Sequence, residues 1–343
     1  MIDQEVKKKM SPLALSGFDI VEFIKNLNEE VEWMAEGLIP DPSITMIYAT
    51  DGIGKSLIGV QMAIELCSGF QVFKTLHTTR PYKVIYVMAE RSIKEPMKRI
   101  KKMLADPDYD GKIAFENLAV TTEFQGKDLS NTVNADALIG VLKRHSKDIG
   151  GCDLIVFDPL YALVKGDLKD DQPINAVFNF FRRAITELTS NIIFFHHENR
   201  GSKEVGSNKR TGQDFYGNKF ISGLCTAVFH MVQDDSDRCK TFLITEKDTE
   251  SALIPKLALI YDPEFNTVQG DVNSSPKTKK LLIDAFLKKK KESLTPFTQK
   301  TFFLETKIVV HPVSERRMIA GLVKSGEIKH AGKDGDFNMY VAV

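Results

Sequence analysis

Cysteine is scarce in this chain: four in 343 residues, at Cys67, Cys152, Cys225 and Cys239. No two stand as Cys-x-x-Cys, so neither a zinc site nor a disulfide framework is expected. No stretch approaches the ~18 apolar residues that a membrane-spanning helix needs. The N-terminal MIDQEVKKKMSPLALSGFDIVEF carries charge without a sustained apolar run, so no leader is expected either. A soluble cytoplasmic protein without a membrane partner follows as the expectation (host cytoplasm, if phage-encoded). Net charge is lacking too, with 46 Lys and Arg against 46 Asp and Glu. That balance hides an asymmetry, because residues 277–343 hold 14 basic against 7 acidic side chains. A basic segment on an acidic body predicts a local polyanion contact, with a solubilising tail as the plainer alternative.

What is present begins with Ala49-Thr50-Asp51-Gly52-Ile53-Gly54-Lys55-Ser56, directly after the apolar run Ile44 to Tyr48. The octet fits the phosphate-binding loop, with alanine where the first glycine usually stands. Its glycines let backbone N–H groups turn toward a triphosphate, Lys55 reaches the β/γ-phosphates, and the Ser56 hydroxyl suits Mg²⁺. The expected ATP-contacting residues are Asp51, Gly52, Ile53, Gly54, Lys55, Ser56 and Leu57, the last opening a helix whose dipole faces the anions. A plain glycine turn would give no reason for Lys-Ser at its end.

From 44 to about 262, apolar strands alternate with amphipathic stretches at 57–68, 93–105, 134–149 and 173–189. This predicts an α/β core with a central, mostly parallel sheet covered on both faces. Strands are expected at Ile44–Ala49, Lys83–Met88, Leu118–Thr121, Leu154–Phe157, Ile192–His196, Thr226–Val232 and Thr241–Thr245. The lead-in 1–32 includes an amphipathic stretch, Phe18–Leu27. The polar, turn-rich segment 263–276 reads as a linker. Beyond it, residues 277–343 predict three helices and a β-hairpin, the element order of a winged-helix module.

Leu154-Ile155-Val156-Phe157-Asp158 is a buried strand ending in an acid, and Asp158 there suits the water shell of Mg²⁺. Glu90 closes the strand at 83–88; it fits a general base for water, and equally a first-turn acid of the next helix. Ile192-Ile193-Phe194-Phe195 ends in His196-His197. Adjacent histidines on a strand point to opposite faces and make a poor metal pair. A polar group there suits the γ-phosphate, or simply a backbone partner.

Taken in order, GLIP at 37–40, ATDGIGKS, VMAE, LIVFDPL, FFHH and Gly217-Asn218-Lys219-Phe220-Ile221-Ser222-Gly223 resemble the RecA-type ATPase core over residues 33–262. The pattern is most similar to the RepA-like replicative helicases of the DnaB-related superfamily 4 group. The resemblance implies catalytic roles for Lys55, Glu90, Asp158 and His197, the last as a phosphate sensor. It implies Mg²⁺ at Ser56 and Asp158. Arg99, nine residues after Glu90, matches an arginine that stacks on adenine. Lys219 stands where the family places an arginine that reaches into the neighbouring subunit's site, and Arg210 is a nearby alternative. A lysine neutralises charge but lacks the bidentate fork.

The implied protein is a homo-oligomeric ring, a hexamer in the family, hydrolysing ATP on single-stranded DNA in DNA replication with other replication proteins. Arg200, Lys203, Lys209 and Arg210 form a glycine-containing basic loop suited to phosphates. Arg316 and Arg317 fall on the candidate recognition helix of the C-terminal module. The alternatives are a DNA-binding regulatory or recombination ATPase, or a loader whose module docks on protein.

Overall fold

The computed structural model describes residues 31–90, 92–109, 111–198, 220–249, 254–271, 276–293, 295–306, 312–334 and 337–343. At 276–282, 285, 312–317, 334 and 337 only the backbone is described. Residues 1–32 and 33–343 form two units, and the elements below belong to the second. In chain order they are β1 (Trp33–Ala35), β2 (Ile39–Pro40), β3 (Ile44–Ala49), α1 (Lys55–Ser68), β4 (Val84–Met88), α2 (Lys94–Met103), β5 (Leu118–Thr121), α3 (Thr132–Asp148), β6 (Leu154–Asp158), α4 (Asp171–Leu188), β7 (Asn191–His197), α5 (Phe220–Gly223), β8 (Ala227–Gln233), β9 (Lys240–Asp248), β10 (Lys256–Asp262) and β11 (Thr267–Asp271).

Strands β3 to β11 join in one nine-stranded sheet, ordered β11-β10-β9-β8-β3-β7-β6-β4-β5. From β8 to β5 all neighbours are parallel; from β8 to β11 they are antiparallel. The strands β3, β4 and β6 are buried at every residue. That is why they read as unbroken apolar runs rather than alternating ones. Alternate residues serve two cores. Ile47, Val84, Val156 and Phe195 pack with α1 and α2 on one face. Met46, Ile85, Phe157 and Phe194 pack with α3 and α4 on the other. A fully buried side chain of this size contributes roughly 1.5–3 kcal/mol.

Local sequence explains the helix ends. Gly54 precedes α1 with φ 108°, and Gly69 closes it with φ 73°, both in the left-handed region that suits glycine. The Asn131 side chain caps α3 by accepting from the Asn134 N–H.

The linker expected at 263–276 needs correction. Residues 263–266 are a turn, and β11 follows as an edge strand of the main sheet, paired with β10 from Asp262↔Thr267 to Ala258↔Asp271. A polar composition concealed it. Val268 packs into the α1 core while Gln269 faces solvent, and one apolar side chain is too little to show a period of two.

Beyond β11 come α6 (Pro276–Ser293), β12 (Phe297–Thr298), α7 (Gln299–Thr306), α8 (Pro312–Lys324), β13 (Ile328–Asp334) and β14 (Phe337–Ala342). The last three strands form an antiparallel sheet ordered β12-β14-β13. Ile283, Phe286, Phe297, Phe302, Ile319 and Tyr340 share a hydrophobic cluster of their own. Among the described residues, no helix is long and apolar enough to cross a membrane.

Candidate functional site

Parallel strands bring their C-terminal tips to one edge of the sheet, where ligands of open α/β sheets bind. β3 runs into the phosphate loop, β4 leads to Glu90, β6 ends in Asp158, and β7 ends in His197 before Glu198. Together with Arg99 from α2 these residues line one cavity of about 850 Å³. Asp51, Gly52, Gly54, Lys55, Ser56 and Leu57 line it as expected from the loop. Ile53 does not; its side chain packs against the α1 core. Gly52, with φ 80°, and Gly54 hold the loop in backbone conformations that other residues rarely adopt. The Leu57 and Ile58 N–H groups both donate to the Gly54 carbonyl, at 2.9 and 3.1 Å, which starts the helix.

Lys55 is buried, and its ammonium donates to the Ala49 and Thr50 carbonyls at 2.8 Å each. Burial lowers its pKa from the ordinary value, opposed by the charges of Asp51, Asp158, Glu198 and Glu90. Burial likewise pushes the Asp158 carboxyl up, against hydrogen bonds from Ser56 and Tyr86 and the charges of Arg99 and Lys55. The Tyr86 hydroxyl donates to Asp158 Oδ2 at 2.7 Å. His197 Nδ1 pairs with Asp51, and its ring meets Tyr161 edge-on at 4.5 Å. Burial, then the Lys55 charge, holds His197 below the ordinary imidazole range, with Asp51 acting the other way. A mainly neutral imidazole follows at neutral pH, able to donate or accept according to tautomer.

Four carboxylates line the cavity (Asp51, Glu90, Asp158, Glu198) against two basic side chains, Lys55 and Arg99. A polyphosphate therefore needs further positive charge. Ser56 and Asp158, already joined by a hydrogen bond, supply hard oxygen donors. That donor set fits Mg²⁺.

The structure thus brings together Lys55, Ser56, Glu90, Arg99, Asp158 and His197. Arg99 lines the cavity, and its charge acts on both Asp158 and Tyr86. Lys219, Arg200, Lys203, Lys209 and Arg210 lie outside the described residues, as does Phe18–Leu27. Arg316 and Arg317 belong to the α8 backbone, with side chains outside the described set. Sequence reasoning missed Tyr86, Tyr161 and Glu198. A phenol inside the apolar run Val84-Ile85-Tyr86-Val87-Met88 was the available signal for the first. For Glu198 the signal was its adjacency to His197.

Comparison with known proteins bears on the fold and the family. No curated protein matches the chain. Among solved structures, the ATPase domain of G40P has a TM-score of 0.52 over 73% of this chain and 95% of that one. At 11% identity this likeness speaks for the fold alone. The model of the AAA domain family matches residues 10–203, more than half of the sequence, and spans the phosphate loop, Glu90, Asp158 and His197. By that match the chain belongs to the AAA domain family.

Proposed function

We propose that this protein is an ATP-driven DNA motor, a replicative helicase of phage or plasmid type that works as a homo-oligomeric ring on single-stranded DNA. The observation that carries the reading is the cavity in which a phosphate loop, two strand-tip acids and a strand-tip histidine converge. In it Lys55 holds the β/γ-phosphates, while Ser56 and Asp158 would hold Mg²⁺, which when bound neutralises phosphate charge. Glu90, exposed at the cavity wall, takes the proton of the attacking water. His197 reads the terminal phosphate and passes its state to Asp51. Arg99 contacts the nucleotide, and Lys219 or Arg210 of a neighbouring copy completes the charge balance. The shared fold with the ATPase domain of G40P supports an ATPase core.

The winged-helix-like reading of 277–343 is supported by its order of elements and by the β12-β14-β13 sheet. In that reading α8, with Arg316 and Arg317, faces DNA. Unwinding of a forked duplex, measured with ATP and Mg²⁺, tests the proposal. Strand displacement is expected. DNA-stimulated hydrolysis without displacement would replace the helicase with a DNA-binding regulatory ATPase or a loader.

A further inference from the structure

Glu198 carries a carboxylate to which the proposed hydrolysis assigns no step. Its N–H donates to the Ala49 carbonyl at 3.0 Å, which fixes the residue to the start of the phosphate loop. Lys55 Nζ donates to that same carbonyl. The Glu198 side chain is 13% exposed and lines the cavity, and its charge acts on Lys55 more strongly than that of Glu90.

Behind it stands His230 of β8, with a side chain 5% exposed. Its Nε2 lies 3.6 Å from Glu198 Oε2, and its Nδ1 lies 3.6 Å from Glu246 Oε1 on β9. The imidazole stacks flat on Tyr48, with centroids 4.4 Å apart and planes 6° apart. Nε2 makes no hydrogen bond, so it meets Glu198 as a polar neighbour without fully satisfying it. A carboxylate anchored by its backbone and backed by a clamped ring has little room to retreat from an incoming anion.

We propose that Glu198 is a specificity-determining residue of the nucleotide cavity: a fixed negative charge, steadied by His230, that opposes a nucleoside triphosphate more than a diphosphate. This rests on the ATPase reading. The physical basis is that repulsion scales with ligand charge, and that Lys55, the group Glu198 acts on, is the one that reaches the terminal phosphates. The consequence is weaker retention of the triphosphate than the loop alone would give, and hence easier exchange.

Titration calorimetry of the full chain, with Mg²⁺ and either ADP or a non-hydrolysable ATP analogue, tests it. Glu198→Gln is expected to tighten the analogue about tenfold and ADP about threefold or less, the size of one partly screened charge. Glu198→Asp, which keeps the charge, is expected to hold the original ratio of the two affinities. His230→Ala removes the ring behind Glu198 and gives its carboxylate room to retreat, and is expected to shift the ratio in the same direction by less. An unchanged ratio in Glu198→Gln, or a weakened analogue, overturns the proposal. If that variant fails to fold, an unchanged ratio in His230→Ala does the same. Binding of neither nucleotide by the unaltered chain overturns the ATPase reading itself.

Discussion

Two buried carboxyls mark the two halves of α1, Asp158 beside its first turn and Glu65 within its later half, and their surroundings differ. At the N-terminal end Asp158 receives hydroxyls from Ser56 and Tyr86 and shares an open cavity with Lys55 and Arg99. Nearby, His197 Nε2 is buried without a hydrogen bond. Further along, Glu65 is enclosed by the protein's own donors. Its Oε1 accepts from Gln61 Nε2 at 2.9 Å and from the Tyr109 hydroxyl, and its Oε2 accepts from the Phe73 N–H at 2.7 Å. Gln61 in turn exchanges two hydrogen bonds with the Val268 backbone, each 2.7 Å, and so ties α1 to β11. A carboxyl closed off by its own chain is structural. One that opens onto a cavity rich in like charge waits for a ligand.

The largest expected effect breaks the first half alone. Lys55→Ala should lower ATP turnover by about 100- to 1000-fold, as loss of one charge-stabilising donor does. Its melting temperature should stay close to that of the unaltered chain, because burial already disfavours the ammonium. A turnover assay beside a thermal melt separates the two.

The second prediction concerns the enclosed half. Burial pushes Glu65 up to about 7 from its ordinary 4.5, against Tyr109, Gln61, the Phe73 N–H and Lys74. Between those values the folded state keeps a proton that the unfolded state releases. Stability is therefore fullest below the window and falls as pH rises through it, by about 3 kcal/mol in all. Denaturant melts at about pH 5 and about pH 8 should show that fall, and Glu65→Gln should flatten it.

The smallest effect joins the halves. A Cβ on Gly59 would lie 2.6 Å from the Phe195 ring and 2.9 Å from the Tyr86 hydroxyl that serves Asp158. Overpacking outweighs the gain in helix propensity, so Gly59→Ala should cost about 1 to 2 kcal/mol of stability. Because Tyr86 must shift, turnover should drop as well, and a drop in stability alone would show that the Tyr86 contact is dispensable.

Particular residues show how far the chain could be read before folding. The strands at Ile44–Ala49 and Leu118–Thr121 coincide with those expected, since apolar runs bounded by glycine or polar residues are local signals. β10 and β11 lie outside the expected strands, because β11 owes its existence to pairing with β10 and to Gln61, a residue 207 positions before Val268. The site divides the same way. The phosphate loop is contiguous and carries its chemistry in its spacing, whereas Asp51 meeting His197 and Glu198 meeting His230 join separate strands.

Short-range pattern was therefore enough for the phosphate loop, the alternation of strand and helix, and the acids at the strand tips, because each depends on neighbours a few positions away. Folding alone settled which tips share a cavity, where Arg99 reaches, and which carboxylates are enclosed or left facing a ligand. Strand order sets those distances, and strand order follows from packing between residues far apart in the chain.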